Sequence, residues 1–532
     1  MEIRIKLKNS YIVAISGLLL CVFGIVLGTV IFPSIIEMGI KKETALSNDS
    51  EAFKHWIDPP LLQFNVYIFN VTNPLEIAAG EKPIVHEIGP FVYTQRMIRE
   101  IIDQHDEDDT LSFSTRKIYS FNQEKSGSLK ESDKVTMMNP TLMGIVLTAY
   151  KLIPMALPIV NDAIPFMFPD RIPETVFSTF TVKELLFSGV PINCTNVASD
   201  LVCKNLNLHR PKTVTKLPDS PDSIFSFFNH KNNSLEGPYR IYRGRKIPTN
   251  VGKIKMYKNE ETLKVWPINT SCNIIQGTDS TIFPPFMKKT ELLYIFVPEL
   301  CRSMFAEFSR VIKFDNVVSY EYIGSTKNFA DPSRHPDNLC HCEDNTQTPG
   351  SGLVCPKEGA IYLSKCYRSP VHFSQPHFYG AHKDYADYVV GLHPNSSKHQ
   401  TYVQIEPRTG VPIKGFRRLQ INIELRFFKE INILNRSSSG LFPLVWIEEM
   451  FVLKDSEMQL LKQFYLLLTC LDILVWMIVI TGITMLVVVI ARSIYKNRAV
   501  NECINSKNQN VRDQPTNQTR VEFSNRKNNE ES

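Results

Sequence analysis

The chain has 532 residues, 43% hydrophobic and 21% charged, and its 59 basic and 54 acidic side chains leave a net charge of only +5. So shallow a balance over that length is no nucleic-acid footprint and reads as a solvated surface of mixed charge. The chain also exceeds what one ordinary core holds, unless a single domain wraps a barrel or cavity.

The first element is Tyr11–Phe32, YIVAISGLLLCVFGIVLGTVIF, 22 residues without a charge. As a helix rising about 1.5 Å per residue it spans roughly 33 Å and crosses a hydrocarbon core of about 30 Å. It is too long for a signal-peptide core, and no small-x-small cleavage site follows, so it reads as an uncleaved anchor. A second run, DILVWMIVITGITMLVVVIA, ends at Ala491, which places the second span at 464–491. Arg4, Lys6 and Lys8 precede the first span, and Arg492, Lys496 and Arg498 follow the second. The positive-inside rule then puts residues 1–10 and 492–532 in the cytoplasm of a two-pass cell-membrane protein, although Lys41 and Lys42 count slightly against it. Asp472 falls at the outer headgroup level, because Ile473 to Ala491 is long enough to span alone.

Residues 33–463 would then lie outside. Asn48, Asn70, Asn193, Asn232, Asn269, Asn395 and Asn435 each open an Asn-x-Ser/Thr sequon in this segment, as glycan acceptors on an outward surface would. Asn517 also fits the pattern, but lies in the tail. That tail is rich in Asn, Gln, Arg, Lys and Glu and is expected to be disordered; it carries no acidic-x-x-x-Leu-Leu sorting signal.

Much of the intervening segment has the strand period of two. Phe64–Thr72, Leu111–Tyr119, Val318–Ile323 and Gln420–Phe428 alternate with β-branched and aromatic residues on one side, and turn signals such as Arg408-Thr-Gly-Val-Pro412 separate them. The expectation is a mainly antiparallel β architecture. Between Asn139 and Gly189 the spacing becomes helical and apolar, in three pieces: Thr141–Tyr150, Ala156–Phe168 and Glu174–Phe187. Pro154, Pro158, Pro165, Pro169 and Pro173 are expected to cut the pieces apart. Residues 139–189 are either a small helical subdomain with its own core or a cap whose apolar surface admits a lipid. The acidic run Asp103–Asp109 lacks the spacing and glycine of a calcium loop and reads as a solvated hairpin loop.

Of eleven cysteines, Cys21 and Cys470 lie in or beside the spans and Cys503 in the tail. The other eight, Cys194, Cys203, Cys272, Cys301, Cys340, Cys342, Cys355 and Cys366, are an even set in an oxidising compartment, where disulfides are expected. Cys340 and Cys342 are expected to bridge to different places rather than to each other. A zinc site from Cys340, His341, Cys342 and Cys355 is the competing reading; it lacks paired Cys-x-x-Cys spacing, and its thiolates would tend to be oxidised. No nucleophile elbow, P-loop, dinucleotide fingerprint or His-Glu-x-x-His occurs, so neither an enzyme nor a cofactor is expected.

Several stretches resemble the signatures of the CD36 and scavenger receptor class B family. They are Ile88-Gly-Pro-Phe-Val-Tyr93, Phe69-Asn-Val-Thr-Asn-Pro74, Cys272-x4-Gly277-Thr-Asp-Ser-Thr-Ile-Phe-Pro-Pro-Phe286, Cys301-Arg-Ser303, Pro336–Cys342, Tyr402-x3-Glu406-Pro-x-Thr-Gly410 and Arg418–Asn422. Within that family, Lys41–Ser47, His105-x-Glu-Asp-Asp-Thr110 with Phe121-Asn-x-Glu-Lys-Ser-Gly127, and Cys194 with Cys203 are similar to insect sensory neuron membrane proteins, with a leaning to their type 2 branch. The resemblance implies a large antiparallel β-barrel-like domain with an internal hydrophobic tunnel, an α-helical cap at its apex and two transmembrane helices. It also implies the pairs Cys272–Cys340, Cys301–Cys366, Cys342–Cys355 and Cys194–Cys203. Lys151, Arg171 and Lys183 in the cap become candidates to attract a fatty-acid carboxylate or an acidic partner. CD36's palmitoylated juxtamembrane cysteines have no counterpart here, which leaves only Cys503 as a remote candidate.

The function implied is a cell-surface receptor that captures long-chain lipids or lipophilic odorants in chemosensory tissue and conducts them through the tunnel to the membrane or a receptor. The alternatives are a co-receptor or trafficking protein that docks an odorant receptor channel complex or odorant-binding proteins, and a general lipid scavenger receptor.

Overall fold

The computed structural model describes residues 2–169, 174–314, 316–344 and 352–512. It divides into two compact units, Met1–Glu37 with Phe464–Ser532, and Met38–Gln463.

The first unit is helical. Helix α1 (Glu2–Val26) passes through a π-helical turn at Leu27–Ile31 into α2 (Phe32–Thr44), and a long helix runs from Asp455 to Arg512. Both stretches contain windows long and apolar enough to cross a membrane, Ser10–Thr44 and Asp455–Ser506. Small residues let them approach: a Cβ on Gly17 would lie 2.9 Å from the Gly482 carbonyl, and Cys21 Sγ sits 3.7 Å from the Val479 carbonyl. The last helix does not stop at Ala491. It runs to Arg512, so the disorder expected from polar composition does not describe residues 492–512, where helix already formed in the apolar run propagates at little cost. Residues 513–532, with Asn517, lie outside the described residues.

The second unit is built on a thirteen-stranded antiparallel sheet. Its strands are β1 (Leu62–Val71), β2 (Val85–His105), β3 (Thr110–Phe121), β4 (Leu235–Tyr242), β5 (Ile254–Tyr257), β6 (Leu293–Val297), β7 (Arg302–Phe314), β8 (Val317–Gly324), β9 (Ala360–Tyr362), β10 (Val371–Ser374), β11 (Tyr402–Ile405), β12 (Pro412–Leu425) and β13 (Gly440–Val452). The order is β5-β4-β3-β2-β1-β13-β12-β11-β8-β7-β6, with β10 pairing both β12 and β9. Each of the four stretches expected from period two lies in a strand, although the last leaves the sheet after Leu425 rather than reaching Phe428.

The two outer strands are clasped. Ile254 N–H of β5 donates to the Gly277 carbonyl at 2.9 Å, and Phe296 N–H of β6 donates to the Thr278 carbonyl at 2.9 Å, so Gly277-Thr278 bridges the open edges and nearly closes the sheet into a barrel. Only glycine fits there: its φ is +82°, and a Cβ would stand 1.9 Å from the Tyr294 carbonyl.

The helical region differs from its expected form. Asn139 caps α3 (Pro140–Leu152) through its side-chain oxygen, with Pro140 opening the first turn. Pro154 separates α3 from α4 (Leu157–Met167), but Pro165 lies inside α4 and does not end it. The third expected helix is instead the strand Phe177–Thr181, paired with Lys134–Met138, followed by a π turn at Glu184–Ser188. Val176-Phe-Ser-Thr-Phe-Thr-Val182 is β-branched and aromatic, and a neighbouring strand supplies its hydrogen bonds. A helix that periodicity did not reveal, α5 (Val197–Leu208), starts at the Asn196 cap and packs on α4.

Candidate functional site

The inner face of the sheet carries an apolar cavity of about 60 Å³. Its wall is Leu419, Ile421 and Ile423 of β12, Leu444 and Ile447 of β13 and Phe373 of β10, completed by Phe225, which ends the strand Ser223–Phe225, and by Phe227 and Phe228 just after it. In β12 the odd residues Leu419, Ile421 and Ile423 face inward, as strand alternation requires. The even ones, Gln420 and Asn422, are fully buried on the other face and hydrogen-bond each other at 2.7 Å and Ser374 at 3.4 and 3.0 Å. Both faces of this strand are therefore covered, one with hydrocarbon and one with a satisfied polar ladder.

Charge enters the same wall. Arg417 shares the inward face with Leu419, and its Nε donates to Glu449 of β13 at 2.7 Å. Glu299, 8% exposed, accepts Lys231 at 3.0 Å, Arg417 at 3.3 Å and Lys117 of β3 at 3.5 Å. Burial alone would raise the Glu299 carboxyl; Lys231, Arg417 and Lys117 together hold it well below the usual carboxylate range. The same carboxylates hold Lys117 and Arg417 above their ordinary values against burial. Burial, reinforced by Lys231 and Lys258, pushes the Lys212 ammonium down to about 8. Yet Lys212 keeps exposed surface and 29% of the Arg417 side chain is accessible.

The cap cations lie elsewhere. Lys151, at the end of α3, is paired with Glu343, and its Nζ is 5.3 Å from the Tyr362 ring centre. Lys183 is exposed at the start of the π turn, its backbone N–H donating to the Glu131 carbonyl at 2.9 Å, and Arg171 lies outside the described residues. Sequence reasoning passed over Lys117, Lys212, Lys231, Glu299 and Arg417. Parity could have found one of them: Arg417 falls in step with Leu419, Ile421 and Ile423. Glu299, in a turn between strands, offered no such signal.

Four disulfides join Cys272 to Cys340, Cys301 to Cys366, Cys342 to Cys355 and Cys194 to Cys203, leaving Cys21, Cys470 and Cys503 as free thiols. Cys272, Cys340 and His341 do converge within 4.8 Å, but the two sulfurs are bonded to each other. His341 is engaged as well: Nδ1 lies 3.1 Å from the Tyr362 carbonyl and Nε2 2.8 Å from Arg302 Nη1. Hydrogen bonding to that carbonyl fixes the proton on Nδ1 and leaves Nε2 to accept from Arg302. The acidic run does form the β2–β3 hairpin loop, but it is pinned rather than freely solvated: Asp106 pairs with Arg243 and Arg245, and Asp108 with Arg240 and Lys255. Among the sequons, Asn48, Asn269, Asn395 and Asn435 are exposed, and Asn70, Asn193 and Asn232 are half-buried.

The profile of the CD36 family matches residues 15–493. The chain belongs to the CD36 family. As a CD36-family protein it joins receptors rather than enzymes. It is 36% identical to sensory neuron membrane protein 2 of Heliothis virescens, with 90% of this chain and 92% of that one covered. Identity is 37% with sensory neuron membrane protein 2 of Ostrinia furnacalis, over 84% and 85% of the two chains. With sensory neuron membrane protein 1 of Apis mellifera it is 32%, over 90% and 89%. Together with the two apolar helices, this makes it a two-pass membrane protein whose clasped sheet is the fold of its CD36-like domain.

Proposed function

We propose that the protein is a cell-surface receptor of chemosensory tissue, with both termini cytoplasmic, that captures lipophilic ligands and conducts them through the barrel toward the membrane or a receptor. The observation that carries this reading is the apolar cavity on the inner face of the sheet, walled by Leu419, Ile421, Phe225, Phe227 and Phe373. A hydrocarbon chain moving along such a wall keeps its surface out of water, about 25 cal/mol per Å² of apolar area. The likeness to sensory neuron membrane proteins supports the sensory setting. Native mass spectrometry of the full-length protein tests it: a co-purifying long-chain ligand is expected. Its absence, together with no uptake of an added labelled lipid, would sink the proposal. Ile421→Trp should fill the cavity and lower uptake.

A second reading, docking of a carrier or channel, is favoured by one observation. Leu152, Ile153 and Met155, where α3 ends, are 55%, 51% and 88% exposed. Loss of partner capture with lipid uptake intact after Met155→Ser and Ile153→Ser would support it.

A further inference from the structure

Five strands share one rung at the end of the sheet from which the chain leaves for its second apolar helix. Val452 of β13 stands opposite Lys414 of β12, Lys414 opposite Gln404 of β11, Gln404 opposite Glu321 of β8, and Glu321 opposite Arg310 of β7. β13 ends at this rung, and eleven residues, Leu453–Gln463, separate it from Phe464, where the apolar run begins. Two of the eleven link and nine are helical, so the chain itself holds this end of the sheet within about 25 Å of the apolar run.

β7 and β8 do not stop at the rung. Val311–Phe314 and Val317–Tyr320 continue as a paired hairpin, four residues on each strand, which is about 13 Å at 3.3 Å per residue. β11 follows them only as far as Ile405 opposite Tyr320. A hairpin end that water meets on both faces is ordinarily polar, yet Val311 is 40% and Phe314 55% exposed, and strand alternation sends them to opposite faces. Cations surround them. Lys313 is exposed on β7, and the Met287 N–H donates to the Pro407 carbonyl at 2.8 Å, which brings the loops holding exposed Lys289 and Arg408 to the same end, beside half-buried Lys414. Among the described residues none of these four cations forms an ion pair, whereas Glu321 is taken by Arg310 at 2.8 Å and Glu291 by Lys288 at 3.6 Å. Asp315, between the two strands, lies outside the described residues, and its charge leaves the cations in excess.

A soluble anion would make no use of Val311 and Phe314, and a purely apolar surface would leave the cations unanswered. A bilayer surface satisfies both: its phosphates accept from lysine and arginine while an aromatic and an aliphatic side chain sit at the head-group level. We propose that the β7–β8 hairpin is an interfacial membrane anchor, which places Phe314 and Val311 among the lipid head groups so that the sheet rests on the bilayer in addition to being tethered by the two apolar helices. The anchor is independent of what the cavity carries, and either can fail without the other.

The test uses full-length protein in phosphatidylcholine nanodiscs doped with a phosphatidylcholine that carries a photoactivatable diazirine near its head group, with labelled peptides read by mass spectrometry. Met155 is the control: it is 88% exposed, in the helical region that follows Lys134–Met138, whose Thr136 binds Asn70 at the opposite end of β1 from Gln63 and its partner Met450. Peptides containing Val311 to Phe314 are expected to label at least about fivefold more than those containing Met155, and Lys313→Glu combined with Phe314→Ser to bring the ratio toward one. Both side chains are exposed, so the melting temperature should not change; Val311→Ser serves as the second variant and should lower the ratio as well. Labelling of the hairpin no stronger than that at Met155, or labelling that survives these substitutions, would overturn the anchor.

Discussion

Glu299→Gln tests the electrostatic core directly. The substitution keeps the shape and removes the one charge shared by Lys117, Lys231 and Arg417; Arg417 retains Glu449, but both lysines lose their only ion-pair partner among the described residues. Breaking a buried pair from one side costs about 3–5 kcal/mol, because the cations stay behind desolvated. Over the roughly 430 residues of Met38–Gln463, at about 2.1 cal/mol/K per residue, the unfolding entropy is roughly 0.9 kcal/mol/K. The melting temperature should therefore fall by roughly 3–6 °C. Scanning calorimetry of the detergent-solubilised protein at pH 7 measures it, and Lys231→Met added to Glu299→Gln should recover part of the loss. The pH dependence has a definite sign. Glu299 sits well below its ordinary value of 4.5 when folded, so its contribution is complete above 4.5 and is lost only as pH falls toward the lowered value. The gap between native and variant proteins should stay constant from pH 7 to about 5 and close below that. A variant that melts within 1 °C of the native protein, or a gap that closes above pH 5, would refute the reasoning.

Gly277→Ala should unclasp the barrel: amide exchange at Ile254–Tyr257 and Leu293–Val297 should rise well above that of β12, and equal protection across all three would count against the clasp. Replacing Cys194 and Cys203 together by serine opens a short loop, of sequence separation 9, and should cost about 2.7 kcal/mol; the Cys272–Cys340 pair, of separation 68, should cost about 4.4 kcal/mol, so the ratio of melting shifts checks the chain-entropy account. Non-reducing peptide mapping should recover all four bridges, and a chelator should leave the melting temperature where it was. Site-specific glycan mapping should find Asn269, Asn395 and Asn435 fully occupied and Asn70 less so. The Asn70 side-chain oxygen accepts the Thr136 N–H at 2.8 Å within a strand, and full occupancy at Asn70 would contradict this.

The strands were legible because alternation survives wherever one face meets the core, as at Phe64-Asn-Val-Tyr-Ile and at Leu419–Ile423. The bridging cysteines were legible through resemblance, because spacing alone left several pairings open. The stretch 174–187 misled because its apolar residues satisfy helical and strand spacing alike, and only the partner strand Lys134–Met138 decides between them. The candidate site was the least legible part. The cap cations were chosen by region. Lys231 and Glu299, which line the cavity, and Lys117 and Arg417, which pair with Glu299, come from the turn at Asn229–Lys231, the turn holding Glu299, β3 and β12, which converge only when the sheet curls.

The sheet order has a consequence for how the chain is made. β1 pairs with β2 on one side, but its other neighbour is β13, from Gln63 against Met450 to Ile68 against Val445. Roughly 370 residues separate Val71 from Gly440; at about 5–20 residues per second, β1 waits roughly 20–70 s after its own synthesis for that partner. Throughout that interval the edge carrying Phe64, Val66 and Ile68 is a template for stray pairing. The edge is covered only when the last strand arrives, just ahead of the final helix.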